Sequence, residues 1–276
     1  MFSSAIIVFR ETLEAALLIG IIAAATCSIA RRSAWIVAGI VAGLAGASVV
    51  AALTGTIASM FKGIGQEVFN AVVLGIAVVL LAWHSVWMSS HGAQLAVNAK
   101  RVSQSVREGK TELAAIAVIV AIAVLREGAE SVLFVYGILS SGEVSPVSAV
   151  TGAGLGAMGG GVLGALLYWG MLRIPLRWLF RVTTTLILLL AAGMASRMAE
   201  FLVQADLLPP LKAPLWDLSH LLPADSPVGT VMHALVGYDA SPAGVQVLFY
   251  LATLGAIVFA IIVVRRSKQQ VLMPQR

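Results

Sequence analysis

Seven apolar segments, at about 3–30, 34–61, 67–91, 113–140, 146–172, 182–205 and 245–264, leave this chain few ways to fold. Each meets the roughly 17–25 residues needed to cross about 30 Å of hydrocarbon. Lipid offers the backbone no hydrogen-bond partners, so such runs become helices. Only 11% of the 276 residues are charged and 59% are hydrophobic, where a soluble domain carries roughly 25% charged residues. The expected fold is all-α, a polytopic membrane protein with seven transmembrane helices. The short alternating segments of a transmembrane β-barrel are not evident.

The basic residues set the expected orientation. Of 18 Lys and Arg, thirteen fall after segments one, three and five or in the C-terminal tail, and only Lys62 and Lys212 lie on the opposite side. The positive-inside rule then places the N-terminus outside and the C-terminus in the cytoplasm. The net charge of +5 therefore speaks of topology and not of nucleic acid. A lone cysteine, Cys27, rules out an internal disulfide or a cysteine-based metal cluster. No cleavable signal peptide is expected, because no basic residue precedes the first apolar segment. The stretch at about 92–112 reads as a basic cytoplasmic loop. The outer loop at about 206–244 holds six of the nine prolines and reads as turns. No connection has room for a separate soluble domain, so residues 1–276 form a single transmembrane domain.

Two segments break the apolar rule in the same way. Segment one carries Arg10, Glu11 and Glu14, and segment four carries Arg126, Glu127 and Glu130. Residues three and four apart share a helix face, so each pair of glutamates points one way, within reach of its arginine. A central charge costs about 2.5–3.5 kcal/mol to insert, so the six cost on the order of 15–20 kcal/mol before pairing. Buried ion pairs seldom recover that cost as stability. Salt bridges that only lock helices would also balance their charges, whereas four carboxylates and two guanidinium groups leave an excess of two negative charges. Clustered carboxylates are what a hard cation selects, with the arginines orienting them and limiting the charge of the empty site.

Glycines recur in segment two (Gly39, Gly43, Gly46) and segment five (Gly152, Gly156, Gly160, Gly164), where they permit close helix contact in lipid. The motifs lie three segments apart, and three is odd. The chain is therefore expected to comprise two inverted three-helix repeats, about 3–91 and 113–205, followed by the outer loop and a last helix at about 245–264. Transporters built this way place the substrate at the midplane between the repeats.

The paired R-E-x-x-E motifs, in segments one and four of seven, resemble those of the high-affinity iron permeases, the oxidase-dependent iron transporters. The likeness extends over nearly the whole chain in segment count, topology and motif placement. It implies uptake of iron as Fe³⁺, formed from Fe²⁺ by a separate partner. It also implies that Glu11, Glu14, Glu127 and Glu130 coordinate iron, with Arg10 and Arg126 needed beside them. Some fungal members carry a D-A-S-E element before the last segment. Here residues 239–242 read D-A-S-P, so Asp239 carries over and the second acid is missing.

Three further polar residues lie inside segments. Arg197 and Glu200 are either a pair reaching the interface or part of the permeation pathway. His84 either lines a cavity or bonds a neighbouring helix. The chain lacks the nucleotide-binding G-x-x-x-x-G-K-[ST] pattern and the Cys and His sets of a copper oxidase. It therefore reads as a permease of the cytoplasmic membrane and not an enzyme. Iron is its cargo, with no permanently bound cofactor. Its partners are the lipid bilayer and separate extracytoplasmic iron-binding or iron-oxidising proteins, with no nucleic acid. The rival readings are a proton-coupled transporter of another cation and a non-transporting assembly subunit.

Overall fold

Apolar periodicity with few breakers produces helices almost throughout. The computed structural model describes residues 1–271, apart from 28, 30, 61–64, 108–112, 143, 171–175 and 224–225. The helices are α1 (Phe2–Ala25), α2 (Arg32–Met60), α3 (Gln66–Arg107), α4 (Ala114–Ser140), α5 (Pro146–Tyr168), α6 (Leu176–Gln204), α7 (Pro227–Val236) and α8 (Gly244–Val271). Among the described residues there is no strand. Stretches of α2, α3, α5, α6 and α8 are long and apolar enough to cross a membrane. Helices α1 and α4 have comparable lengths, 24 and 27 residues, and each carries one three-charge motif.

The polarity is that of a protein dissolved in lipid. Val37, Val41, Leu44, Val49 and Leu53 of α2 are exposed, as are Val147, Val150, Leu155, Met158 and Val162 of α5. The charges of α1 lie inside instead, with Arg10, Glu11 and Glu14 all buried. Two apolar cores flank them. One joins α1, α3, α4, α6 and α8 through Ile7, Leu74, Leu81, Phe134, Ile187 and Ile257. The other joins α1, α2 and α4 through Ile22, Ile36, Ile116, Val120 and Val124.

Helix α5 packs along α1, and α2 packs along α4. The glycines make both contacts possible. A Cβ on Gly156 would strike the Ala5 carbonyl, and one on Gly160 would strike that of Phe9. A Cβ on Gly39 would come within 2.6 Å of the Ala117 carbonyl oxygen, and one on Gly43 within 2.8 Å of that of Ala121. Residue numbers rise together along both contacts, so each pair runs parallel. Helices α3 and α4 run antiparallel, with Ala77 against Gly137 at one end and Trp87 against Arg126 further along.

Two elements differ from expectation. Helix α3 has 42 residues and continues to Arg107, through most of the stretch read as a loop. Its second half, residues 87–107, has no proline and mixes Ala, Gln, Lys and Arg with Ser and Val, so nothing in it stops a helix where lipid ends. The 205–243 segment contains α7, started by Ser226, whose hydroxyl accepts from the Gly229 amide at 2.9 Å, with Pro227 next. Gly237 ends it with φ of 70°, the left-handed cap that glycine adopts without strain. Gly237 packs against Gly193 of α6. At 1.5 Å per residue, Gly193 lies about 16 Å along the axis from the end of α6 at Gln204. The segment therefore folds back into the bundle, a route open to irregular backbone only where protein surrounds it.

The α1–α5 contact gives a direct test. Gly156→Val should destabilise the protein by about 1–3 kcal/mol or more, as overpacking against backbone. Gly154, with nothing within 4 Å of a new Cβ, should accept valine with little change. Thermal unfolding of both variants in detergent checks this, and equal behaviour would refute the packing.

Candidate metal centre

Three helices build the centre. Within α1, Arg10 Nε donates to Glu14 Oε1 at 2.8 Å, one helical turn away. Arg10 Nη1 lies 3.8 Å from Glu11 Oε1. Within α4, Arg126 Nε donates to Glu130 Oε1 at 3.0 Å and lies 4.0 Å from Glu127 Oε1. The two motifs thus fold identically, as their spacing requires. Helix α3 supplies His84 between them. Its Nε2 is 3.8 Å from Glu11 Oε2 and 4.0 Å from Glu14 Oε2, and its Nδ1 contacts Glu130 Oε2. Phe134 meets the imidazole ring edge-on at 6.4 Å.

The environments of the two motifs differ. Arg10 is 2% exposed and Glu11 fully buried. The Arg126 side chain is 31% exposed, and its guanidinium sits 4.1 Å from the centroid of the Trp87 ring, a cation–π contact. A cavity of about 300 Å³ opens beside it, lined by Leu80, Trp83, His84, Trp87, Arg126 and Glu130, among others. A larger apolar groove along α2, from Ser33 to Ala45, contains no ionisable group.

The chemical signature is a set of buried polar atoms left without hydrogen bonds, most of them carboxylate oxygens. Both oxygens of Glu11 and the Oε2 atoms of Glu14, Glu127 and Glu130 are buried without a conventional donor, as are Arg10 Nη1, Ser85 Oγ and both ring nitrogens of His84, and the Glu11 and Glu127 carboxyl groups lie within hydrogen-bonding reach of each other. Leaving such groups unpaired costs about 1–3 kcal/mol each, and more when they are charged. Donor atoms of Glu11, Glu14 and His84 lie within 4.8 Å of one another, as do those of Glu11, Glu127 and Glu130. All four motif glutamates therefore belong to groupings with the reach of a metal site, and Glu11 belongs to both.

The other residues singled out in the sequence meet elsewhere. Arg197 contacts Glu200, and Gln246 Nε2 donates to Glu200 Oε2 at 3.1 Å and to Asp239 Oδ2 at 3.5 Å. This second polar node ties the end of α6 to the start of α8 and to the 205–243 segment. Sequence reasoning did not single out Gln246 or Trp87. It left the role of His84 open, although an ionisable group deep in an apolar helix is a functional signal by default.

With this geometry in view, the comparisons with known proteins are informative. The profile of the Iron permease FTR1 family matches residues 1–273. The chain belongs to that family. It is 32% identical over 248 residues to the ferrous iron permease EfeU of Escherichia coli O6:H1, covering 88% of each protein. The EfeU protein of Shigella sonnei matches with the same identity and coverage. That of Shigella flexneri is 33% identical over 180 residues, covering 64% of this chain and 75% of the relative. No solved structure matches. Iron permease membership and the several membrane-crossing helices make this a multi-pass protein of the plasma membrane, a transporter rather than an enzyme, with iron as the transported ion.

The unequal burial of the two arginines predicts unequal dependence on them. Arg10→Met strands Glu14 in the interior and should cost about 3–5 kcal/mol. Arg126→Met should cost distinctly less, because Glu130 keeps its contact with His84 and partial access to the cavity. Folded fraction after detergent extraction, with thermal unfolding of the folded material, measures both. A larger loss from Arg126→Met would reverse this assignment.

Proposed function

We propose that the protein carries iron into the cell through the centre formed by Glu11, Glu14, Glu127 and Glu130, with Arg10 and Arg126 holding the carboxylates in place. The observation that carries this reading is the convergence of both motifs on one buried cluster whose outward oxygens lack donors. A cation supplies what those oxygens lack.

Several features support a seven-span, inverted-repeat layout with the N-terminus outside. Aligning Glu11 with Glu127 matches Met1, Ser4 and Ala5 to Ala117, Val120 and Ala121. Those are the residues facing Gly152 and Gly156 on α5 and Gly39 and Gly43 on α2 respectively. Each motif helix is thus cradled at equivalent positions by the second helix of the other unit, as a two-fold relation between units requires. The parallel running of α1 with α5 and of α2 with α4 agrees with that topology. Substrate at the interface of two such units suits alternating access. Inward movement of a cation is favoured by the membrane potential, by about 2.3 kcal/mol per charge per 100 mV.

The charge of the centre favours the divalent ion. Four carboxylates and two guanidinium groups sum to two negative charges, which Fe²⁺ neutralises. The relatives' description as ferrous iron permeases agrees with this. A second reading, Fe³⁺ passed on by a separate extracytoplasmic oxidising protein, follows from the oxygen-rich ligand set, because hard cations prefer carboxylates. Asp239 and Glu200, joined through Gln246, sit where such a handoff would begin.

Uptake of radioactive iron into proteoliposomes tests the proposal. The purified protein should accumulate iron, and Glu14→Ala and Glu130→Ala should each cut uptake by at least about 10–100-fold, the loss typical even of outer-shell partners. Uptake with ascorbate present but not under oxidising conditions would select Fe²⁺, and the reverse would select Fe³⁺. Folded variants that transport normally would sink the carboxylate pathway. Transport of another cation but not of iron would favour the proton-coupled rival, and no transport by the folded wild type would favour an assembly role.

A further inference from the structure

We infer that His84 is itself a metal ligand of this centre, supplying one imidazole nitrogen beside the carboxylates of α1; the inference rests on the iron-centre reading. Neither motif contains the residue, and it reaches the centre from a third helix.

His84 is 3% exposed, and neither ring nitrogen makes a conventional hydrogen bond, although Nδ1 is in close contact with Glu130 Oε2. A buried imidazole nitrogen without a partner carries a desolvation penalty that a structural histidine would avoid by bonding a neighbouring carbonyl or hydroxyl. Instead Nε2 faces two carboxylate oxygens, Glu11 Oε2 at 3.8 Å and Glu14 Oε2 at 4.0 Å. Both distances are too long for hydrogen bonds. They suit atoms flanking one ion: donors each about 2.0–2.2 Å from a metal lie roughly 3–4.4 Å apart.

The other face of the ring fixes its form. Nδ1 contacts Glu130 Oε2, while Glu130 Oε1 accepts from Arg126. The arginine holds Glu130 as an acceptor, which leaves Nδ1 as the nitrogen facing an acceptor and Nε2 as the one facing Glu11 and Glu14. Ligating histidines almost always show this arrangement, with the second nitrogen donating to a carboxylate that sets the tautomer and raises the ligand's basicity. Glu130 would therefore act on an ion beside Glu11 and Glu14 through His84, and its carboxylate also lies within 4.8 Å of donor atoms of Glu11 and Glu127.

The consequence is selectivity. An all-oxygen site accepts Mg²⁺ and Ca²⁺, whereas imidazole suits iron and the other first-row transition metals. One nitrogen in an otherwise oxygen-lined centre biases it towards Fe²⁺ without making it the soft sulfur site that Cu⁺ prefers.

Mn²⁺, a paramagnetic divalent probe, tests the assignment on the full-length protein in nanodiscs. Pulsed EPR should detect nitrogen coupling in the wild type, and the coupling should follow isotopic labelling of histidine. It should vanish in His84→Gln while Mn²⁺ still binds, with affinity lowered by about 10–100-fold. The preference for Fe²⁺ over Ca²⁺ in competition should fall by a similar factor. If His84→Gln does not fold, glutamine variants of the other three histidines, His91, His220 and His233, decide the matter: the labelled signal should survive all three. Bound Mn²⁺ without nitrogen coupling, or coupling that persists in His84→Gln or is lost in one of the other variants, overturns the ligand role and leaves the carboxylate centre standing. A wild type that binds no Mn²⁺, or binding indifferent to Glu11→Gln, overturns the centre and this assignment together.

Discussion

Charge placed in hydrocarbon must find its complement within a few ångströms, because no water is present to screen it. Arg10 with Glu14 and Arg126 with Glu130 meet that demand locally, each within one helical turn. Local pairing leaves Glu11, Glu127 and Oε2 of Glu14 with at most a long ion-pair contact and no conventional hydrogen bond. These remaining acceptors make the arrangement more than a helix lock. A lock would have been cheaper with apolar residues of equal volume, and it would not hold four carboxylates against two guanidinium groups.

Bringing α1 and α4 together in lipid depends on their neighbours. Hydrocarbon surrounds these helices with material as apolar as their own side chains, so close packing must do what the hydrophobic effect does in water. Gly152, Gly156 and Gly160 let the backbone of α1 settle onto α5, and Gly39 and Gly43 do the same for α4 on α2. The two motif helices are thus gripped from outside by α5 and α2, which keep their bulky side chains for the lipid. The glycine contacts reach the motifs themselves, with Gly160 against Phe9, Thr12 and Leu13 and Gly46 against Leu125.

Much of this was legible in the sequence, for identifiable reasons. The all-helical fold and the facing of Glu11 with Glu14 follow from apolar run length and the 3.6-residue period, which depend on no distant contact. The glycine spacing of four marked the contact face of α5. The α3 extension was misread because hydropathy reports where lipid ends, and a helix of Ala, Gln, Lys and Arg does not end there. Helix α7 was missed although Ser226-Pro227 and Gly237 are ordinary start and stop signals; prolines elsewhere in the segment drew attention to turns. The central placement of His84 could not be read from spacing, because it depends on how α3 packs between α1 and α4. Its solitary position beside Trp83 and Trp87 was the only local clue.

The unequal surroundings of two motifs with the same internal geometry bear on how the centre works. Arg10 and Glu11 are sealed, while Arg126 and Glu130 border a cavity between α3 and α4. If α1 and α4 belong to equivalent units, their sequences give no reason for one to be closed and the other open. The difference then lies in how the neighbouring helices pack around each motif. Arg126 stacked on Trp87 and His84 bound to Glu130 are the contacts that hold α3 against the open side. A cation drawing His84 towards Glu11 and Glu14 would pull on the same contacts, so ion occupancy and the position of α3 would be thermodynamically linked.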